Sequence, residues 1–356
     1  MKLVFITQTL DPDHPALAQT IDLADALAAR VDELALVARD VEYAAPANAS
    51  VHLFDASTRP GRTVAFERAV ADATRGADAV LVHMVPQFAM LAAPLARLRR
   101  IPLLLWYTHW HASRTLRLAT RVVDAALSVD ASSYPVATPR LRAIGHAIDV
   151  AAFDAPPVEE HDGPLRLLAL GRTARWKGLT TLVDAVERVH ADVRLEIRGP
   201  SLSPDEEEHR RELEARADGE RVLVLPPVPR ADVPALLASV DAVVSPSEPR
   251  AGATLDKAVY EAAACRRLAV STNAAFATLL GGLPLSLVAP PRDPSALAAR
   301  LDALAAAGAA ERAAVGEALR QRVVAGHSLS HWADEVLDVV TEVRSARATA
   351  GSRRAG

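Results

Sequence analysis

Chemistry is most concentrated in residues 165–189, LRLLALGRTARWKGLTTLVDAVERV. Leu165, Leu167, Leu168 and Leu170 read as a buried strand, and Leu179, Leu182, Val183, Val186 and Val189 have the spacing of a helix. The turn between them carries Gly171, Arg172, Arg175, Lys177 and Gly178. A strand that ends in a glycine turn and feeds a helix aims free backbone N–H groups, and the positive helix end, at one spot. With two fixed cations and Lys177 beside it, that spot suits an anion such as a diphosphate. A basic turn after a strand can equally be a solvated loop, so its weight depends on what the chain brings to it from further downstream.

Other chemistries lack their residues. There is no G-x-G-x-x-G after the first strand, no P-loop lysine motif and no G-x-S-x-G elbow, which disfavours a nicotinamide cofactor, P-loop nucleotide chemistry and a hydrolase nucleophile. The single cysteine, Cys265, excludes an internal disulfide and a cysteine-based zinc site, and the apolar run EAAAC makes it a buried structural thiol. Asp11 and Asp13 form an acidic pair, but their loop has no other obvious metal ligands, so no metal is expected. The formal charge of −4 offers no argument for nucleic acid.

The elements that must position these residues alternate between strand and helix. The 356 residues suit two domains. In the first half, strands are expected at 3–7, 34–38, 51–54, 79–83, 102–107 and 127–129, with helices at about 15–30, 63–75, 87–100 and 113–126. The near-continuous apolar character of these strands suits a parallel sheet buried on both faces. Residues 143–164, with paired prolines, glycines and an acidic cluster, read as a linker.

Alternation then restarts, with strands at 165–170, 193–198, 222–225, 242–245 and 268–271 and helices at 203–217 and 230–239. Ser203 as N-cap, Pro204 and Glu206 form the signature of a capping box. The expected fold is α/β, with two Rossmann-like parallel-sheet domains facing a cleft. Their bounds are 1–147 and 148–327, followed by a helix at 328–345 packing back toward the first domain and a disordered tail at 346–356. The start lacks the regions of a signal peptide, and the apolar stretch 77–98 is broken by His83, Pro86, Gln87 and Pro94. A soluble, cytoplasmic protein is therefore expected.

Four stretches in order resemble the family 4 glycosyltransferases of GT-B architecture. LGRTARWKGLTTLVDAV matches the family's Gly-Arg turn followed by Lys-Gly and a helix. RAIGHAIDVAAF, residues 142–153, is similar to the interdomain segment Gly-x-(Ile/Val)-Asp-x-x-x-Phe. LVLPPVPRADVPALLASVDAVVSPS, residues 223–247, resembles the part that contacts the nucleotide base, and GATLDKAVYEAAACRRLAVSTN, residues 252–273, the segment ending in Glu-Ala-x-Ala-x-Gly-x-Pro-Val.

The resemblance implies transfer of a sugar from a nucleotide-diphosphate donor with retention of anomeric configuration and without a metal. By the same resemblance Arg172, Lys177 and His109 are catalytic. Gly171, Gly199, Val228, Thr254, Leu255, Lys257 and Glu261 bind the donor, with Glu261 accepting from its ribose. The chain departs from the pattern at Ala253, where the family's first glutamate stands, at Asp256 in place of a glycine, and at Arg267–Leu268 in place of Gly–Pro. Asp256 near a phosphate would repel it.

A glycan, lipid or small-molecule acceptor is expected to meet the loops near Asp13, His14, His83 and His109. Arg114, Arg117 and Arg121 share a helical face, with Arg97, Arg99 and Arg100 nearby in sequence; the face is either simply solvated or a peripheral contact with anionic membrane. Two other functions fit the same architecture: a non-catalytic nucleotide-sugar binder and a sugar-nucleotide epimerase.

Overall fold

The computed structural model describes residues 1–14, 17–248 and 255–355, with side chains through residue 349. The chain forms two compact units, Met1–Ala147 together with Leu329–Gly356, and Ile148–Ser328.

Among the described residues the first unit holds nine strands: β1 Lys2–Ile6, β2 Thr9–Leu10, β3 Glu33–Ala38, β4 Asp40–Val41, β5 Ala49–Leu53, β6 Ala79–His83, β7 Leu103–Trp106, β8 Ala125–Ser128 and β9 Leu141–Ala143. Seven of them make one sheet in the order β5-β3-β1-β6-β7-β8-β9, while β2 and β4 pair apart. Every pairing is parallel. Helices α1 Thr20–Ala28, α2 Arg59–Ala73, α3 Pro86–Arg99 and α4 Arg114–Val122 supply the crossovers. The central strands are buried throughout, as runs such as Leu3-Val4-Phe5-Ile6 require when helices cover both faces. Phe54, Phe66 and Phe88 interlock on one side of this core.

The second unit holds β10 Leu165–Leu170, β11 Val193–Arg198, β12 Val222–Leu225, β13 Ala242–Ser245 and β14 Leu268–Ser271, in the order β12-β11-β10-β13-β14. These pairings too are all parallel. Its helices are α5 Leu179–Val186, α6 Pro204–Arg216, α7 Val233–Ala238, α8 Lys257–Ala264, α9 Ala277–Leu280, α10 Pro294–Ala306 and α11 Ala309–His327. In both sheets the strand order reverses once, between β1 and β6 in the first and between β10 and β13 in the second. Loops leaving the carboxyl ends of the strands at such a point splay to opposite faces, and ligands of open α/β sheets bind in the crevice this leaves.

Several sequence expectations are corrected. The first helix is Thr20–Ala28, shorter than expected, with its expected start at Pro15 outside the described residues; before it, Asp11 Oδ1 accepts from the Asp13 amide. The helix expected over 113–126 stops at Val122, and β8 begins at Ala125, since the β-branched Val123 is already extended. Residues 143–164 are no free linker: Ile148, Phe153 and Ala155 are buried, and carbonyls of 150–156 accept from Arg266, Arg267 and Arg320.

Arg267, where the family has glycine, is itself buried and also donates to the last carbonyls of α7, Leu237 and Ala238. Helix α12, Leu329–Ala355, runs through the stretch expected to be a disordered tail. That stretch is rich in alanine and arginine, both good helix formers, and Arg344 and Arg347 tie it to Asp78 and Asp124.

Candidate functional site

Several of the residues expected to bind a donor lie around the reversal between β10 and β13. Beyond β10 the chain runs through Gly171 and Arg172 to the helical turn Arg175–Lys177 and enters α5 at Gly178. Gly178 has φ +68°, and a Cβ there would lie 2.1 Å from the Pro246 carbonyl oxygen, so this loop and the one after β13 touch backbone to backbone. Gly199, at the end of β11, is pressed as closely onto Gly171: its Cβ would sit 1.9 Å from the Gly171 oxygen. Gly199 thus shapes the loop by letting Gly171 pass.

Both cations of the loop are held by carboxylates. Arg172 forms a two-pronged ion pair with Glu206, its Nε lying 3.3 Å from Oε2. Glu206 is buried in the first turn of α6 and also accepts from the Leu202 amide at 2.7 Å. Ser203 caps the helix as expected, accepting from the Glu206 amide at 3.3 Å. The expected capping box is not closed, because the Glu206 carboxylate is turned to Arg172 and Leu202. The guanidinium keeps 45% of its side chain exposed, so donors remain for another anion.

Lys177 pairs with Asp256, and here both partners are enclosed, at 16% and 8% side-chain exposure. The Trp176 ring lies under the ammonium, 4.8 Å from Nζ to centroid. Asp256 also accepts from the hydroxyls of Ser245 and Ser247, the latter at 2.6 Å. Burial alone would raise this carboxyl, but Lys177 and the two serines outweigh it and hold it below the ordinary aspartate range. Asp256, expected to repel a phosphate if near one, is clamped to Lys177 of the loop after β10.

Glu261 is buried in α8, accepting from Arg230 at 2.7 Å with Lys257 Nζ 3.7 Å away. Arg230 also lies over the Phe153 ring. Val228 is half-buried in the loop after β12, and Leu255 is buried next to Asp256. Thr254 and Ala253 lie outside the described residues. Cys265 is buried, and burial pushes its thiol up to about 12, as suits an inert core residue.

The residues expected to meet an acceptor belong to the first unit, at the end of β6 and in the loops after β2 and β7. Asp13 is exposed, and His14 Nδ1 accepts from the Leu17 amide at 3.0 Å. His109 is exposed in the loop after β7, stacked against Trp110, its Nδ1 accepting from the His111 amide at 3.1 Å. His83 differs. It is enclosed at the end of β6, 3.0 Å from the Thr7 hydroxyl, and burial pushes it down to about 4, so it is neutral at physiological pH. Among the described residues no cluster of histidine, cysteine and carboxylate could hold a metal ion, and no helix is long and apolar enough to cross a membrane.

The sequence reading missed Glu206, Ser245, Ser247 and Arg230. The serines could have been found from their place at the end of a buried strand beside the reversal. Glu206 had a competing local explanation in the capping box.

Residues 164–307, most of the second unit, match the family described as glycosyl transferases group 1. Among curated proteins none matches the chain in sequence. The fold is similar to that of sucrose-phosphate synthase from Thermosynechococcus elongatus, with a TM-score of 0.74 at 17% identity, covering 97% of this chain and 99% of that one. It is similar also to a glycosyltransferase from Rickettsia africae, with a TM-score of 0.76 at 14% identity over 96% and 98%. Anabaena HepE in complex with UDP and glucose gives a TM-score of 0.74 at 17% identity over 96% and 100%. Residues 164–307 thus match the glycosyl transferases group 1 family, and along nearly its whole length the chain shares the two-domain Rossmann-like GT-B fold of these structures.

Proposed function

We propose that this glycosyltransferase moves a sugar from a nucleotide-diphosphate donor to a glycan, lipid or small-molecule acceptor, retaining the anomeric configuration and using no metal. The observation that carries the reading is the convergence of Arg172, Lys177 and the α5 N-terminus at the strand reversal of the second sheet. Cleaving the bond between the anomeric carbon and the diphosphate leaves negative charge on the phosphate. Cations and a helix end already aimed there stabilise that charge more in the transition state than before it.

Arg172, with its planar fork and exposed donors, would grip the phosphate oxygens; Lys177 would act as a point charge. Glu261 would accept from the donor ribose. His109, exposed at the carboxyl edge of the first sheet, would contact the reacting end of the acceptor. Retention rests on the resemblance to family 4. HepE complexes with UDP and with UDP-glucose support uridine as the first base to test.

The test is turnover of UDP-glucose and GDP-mannose, with and without a chelator, by the full chain and by Arg172→Ala. Losing a donor to the developing charge should cut turnover about 100-fold or more. Near-normal turnover by Arg172→Ala on a proven donor would overturn the assignment. A second reading, a non-catalytic nucleotide-sugar binder, draws on one observation: Lys177 is already engaged by Asp256. Slow hydrolysis of bound donor in the absence of acceptor separates the two, since a binder leaves the donor intact.

The same reading includes a peripheral contact with anionic membrane. Arg114, Arg117 and Arg121 are exposed on α4, where Leu118 is 47% exposed, and neighbouring α3 ends in Arg97, Leu98 and Arg100, with Leu98 80% exposed. Basic side chains around exposed leucines are the composition of an interfacial surface.

A further inference from the structure

Asp256 does not do what its position equips it for. It stands at the N-cap of α8, where an aspartate ordinarily accepts from the first amides of its own helix, yet its side chain makes no capping bond. Both carboxylate oxygens turn away from α8, one to Lys177 and one to Ser245 and Ser247. Three partners and burial hold it there.

The two cation–carboxylate pairs of the loop therefore respond differently to an arriving anion. Arg172 is nearly half exposed and can take a phosphate while keeping Glu206. Lys177 is enclosed with its partner. The recess lined by Gly171, Arg172, Lys177, Ser245, Ser247 and Asp256 holds about 10 Å³, room for a single water at most. A phosphate drawing Lys177 away from Asp256 would leave a buried carboxylate supported by two serines alone.

We propose that Asp256 occupies Lys177 in the empty site and competes with the donor's phosphate for it, making Asp256 a determinant of how tightly the loop takes a diphosphate. The inference rests on the donor reading given above. It has an unusual sign: removing a conspicuous polar residue from the site should strengthen binding. Asparagine keeps the shape and can still accept from the serines, but it neither holds Lys177 as an ion partner nor opposes an incoming phosphate.

The experiment is calorimetric titration of the full chain with UDP and, independently of any base, with inorganic pyrophosphate. Asp256→Asn is expected to bind both at least tenfold tighter than the unaltered chain, and Lys177→Met to bind both more weakly. In the Lys177→Met background, Asp256→Asn should gain less than threefold, because the competition is for the lysine. Asp256→Gly, which costs little at an N-cap, is expected to show the same tightening and stands in if the asparagine variant misfolds. Binding that Lys177→Met weakens but neither Asp256 variant tightens would overturn the role of Asp256 and leave the donor reading standing. No binding of either ligand by the unaltered chain or any variant would overturn both.

Discussion

Glu206 and Asp256 show how a single carboxylate can be spent in more than one way. Each stands in the opening residues of a helix, where local rules give it a capping duty, and each instead grips a cation brought from a distant part of the chain. His83 makes the same point with charge absent. Enclosed beside Thr7 and pushed down to about 4 from 6.5, it enters the fold neutral. The unfolded chain takes up a proton first, so this contribution to stability is intact above pH 6.5 and is lost as pH falls toward 4. At pH 5 the loss is about 2 kcal/mol relative to pH 7. Chemical denaturation at the two pH values should show a loss smaller by about that amount in His83→Asn than in the unaltered chain. Equal losses in the two proteins would show that His83 titrates normally.

At the scale of elements, periodicity and turn chemistry made much of the molecule readable in advance. The strands at 79–83, 165–170, 193–198, 222–225, 242–245 and 268–271 are found with the bounds their apolar runs suggest. Such runs are legible because a strand buried on both faces has no polar alternation to obscure it. Elements with weaker contrast were passed over. Strand β9, Leu141–Ala143, lies at the sheet edge with no buried residue, and α10 was missed although Asp293 caps it by accepting from the Ala296 amide at 2.9 Å. The glycine and basic residues of the loop 171–178 were legible because they are local. Their partners Glu206 and Asp256 come from 34 and 79 residues away, and no local pattern announces such pairings.

Helix α4 carries a prediction of its own. With Arg114, Arg117 and Arg121 changed together to serine, the chain should lose most of its cosedimentation with vesicles of anionic phospholipid at low salt. The unaltered chain should bind such vesicles and release them as salt rises. Absence of binding at low salt would remove the membrane contact from the functional reading.

For the whole molecule, the instructive element is α12. It follows Ser328, the last residue of the second unit, yet it belongs to the first. Trp332, Ala333, Val336 and Val340 are fully buried, with Trp332 set edge-on to Trp106 at 5.7 Å between ring centroids. Replacing a fully enclosed tryptophan by alanine costs about 3–5 kcal/mol. Trp332→Ala should therefore destabilise the first unit while pyrophosphate binding at Arg172 and Lys177, in the second, persists. Titration below the unfolding midpoint checks this, and loss of pyrophosphate binding together with stability would contradict it.

That arrangement gives the protein an inverted order of birth. A ribosome releases the first unit's sheet before the second unit, but α12, which closes its hydrophobic face, emerges only after the second unit. In the interval the entire second unit has been translated and is free to mature, having every segment it needs. The unit whose sheet is made before the other's is thus the one that finishes folding later, and a nascent chain arrested before residue 329 would hold a mature second unit and an unsealed first.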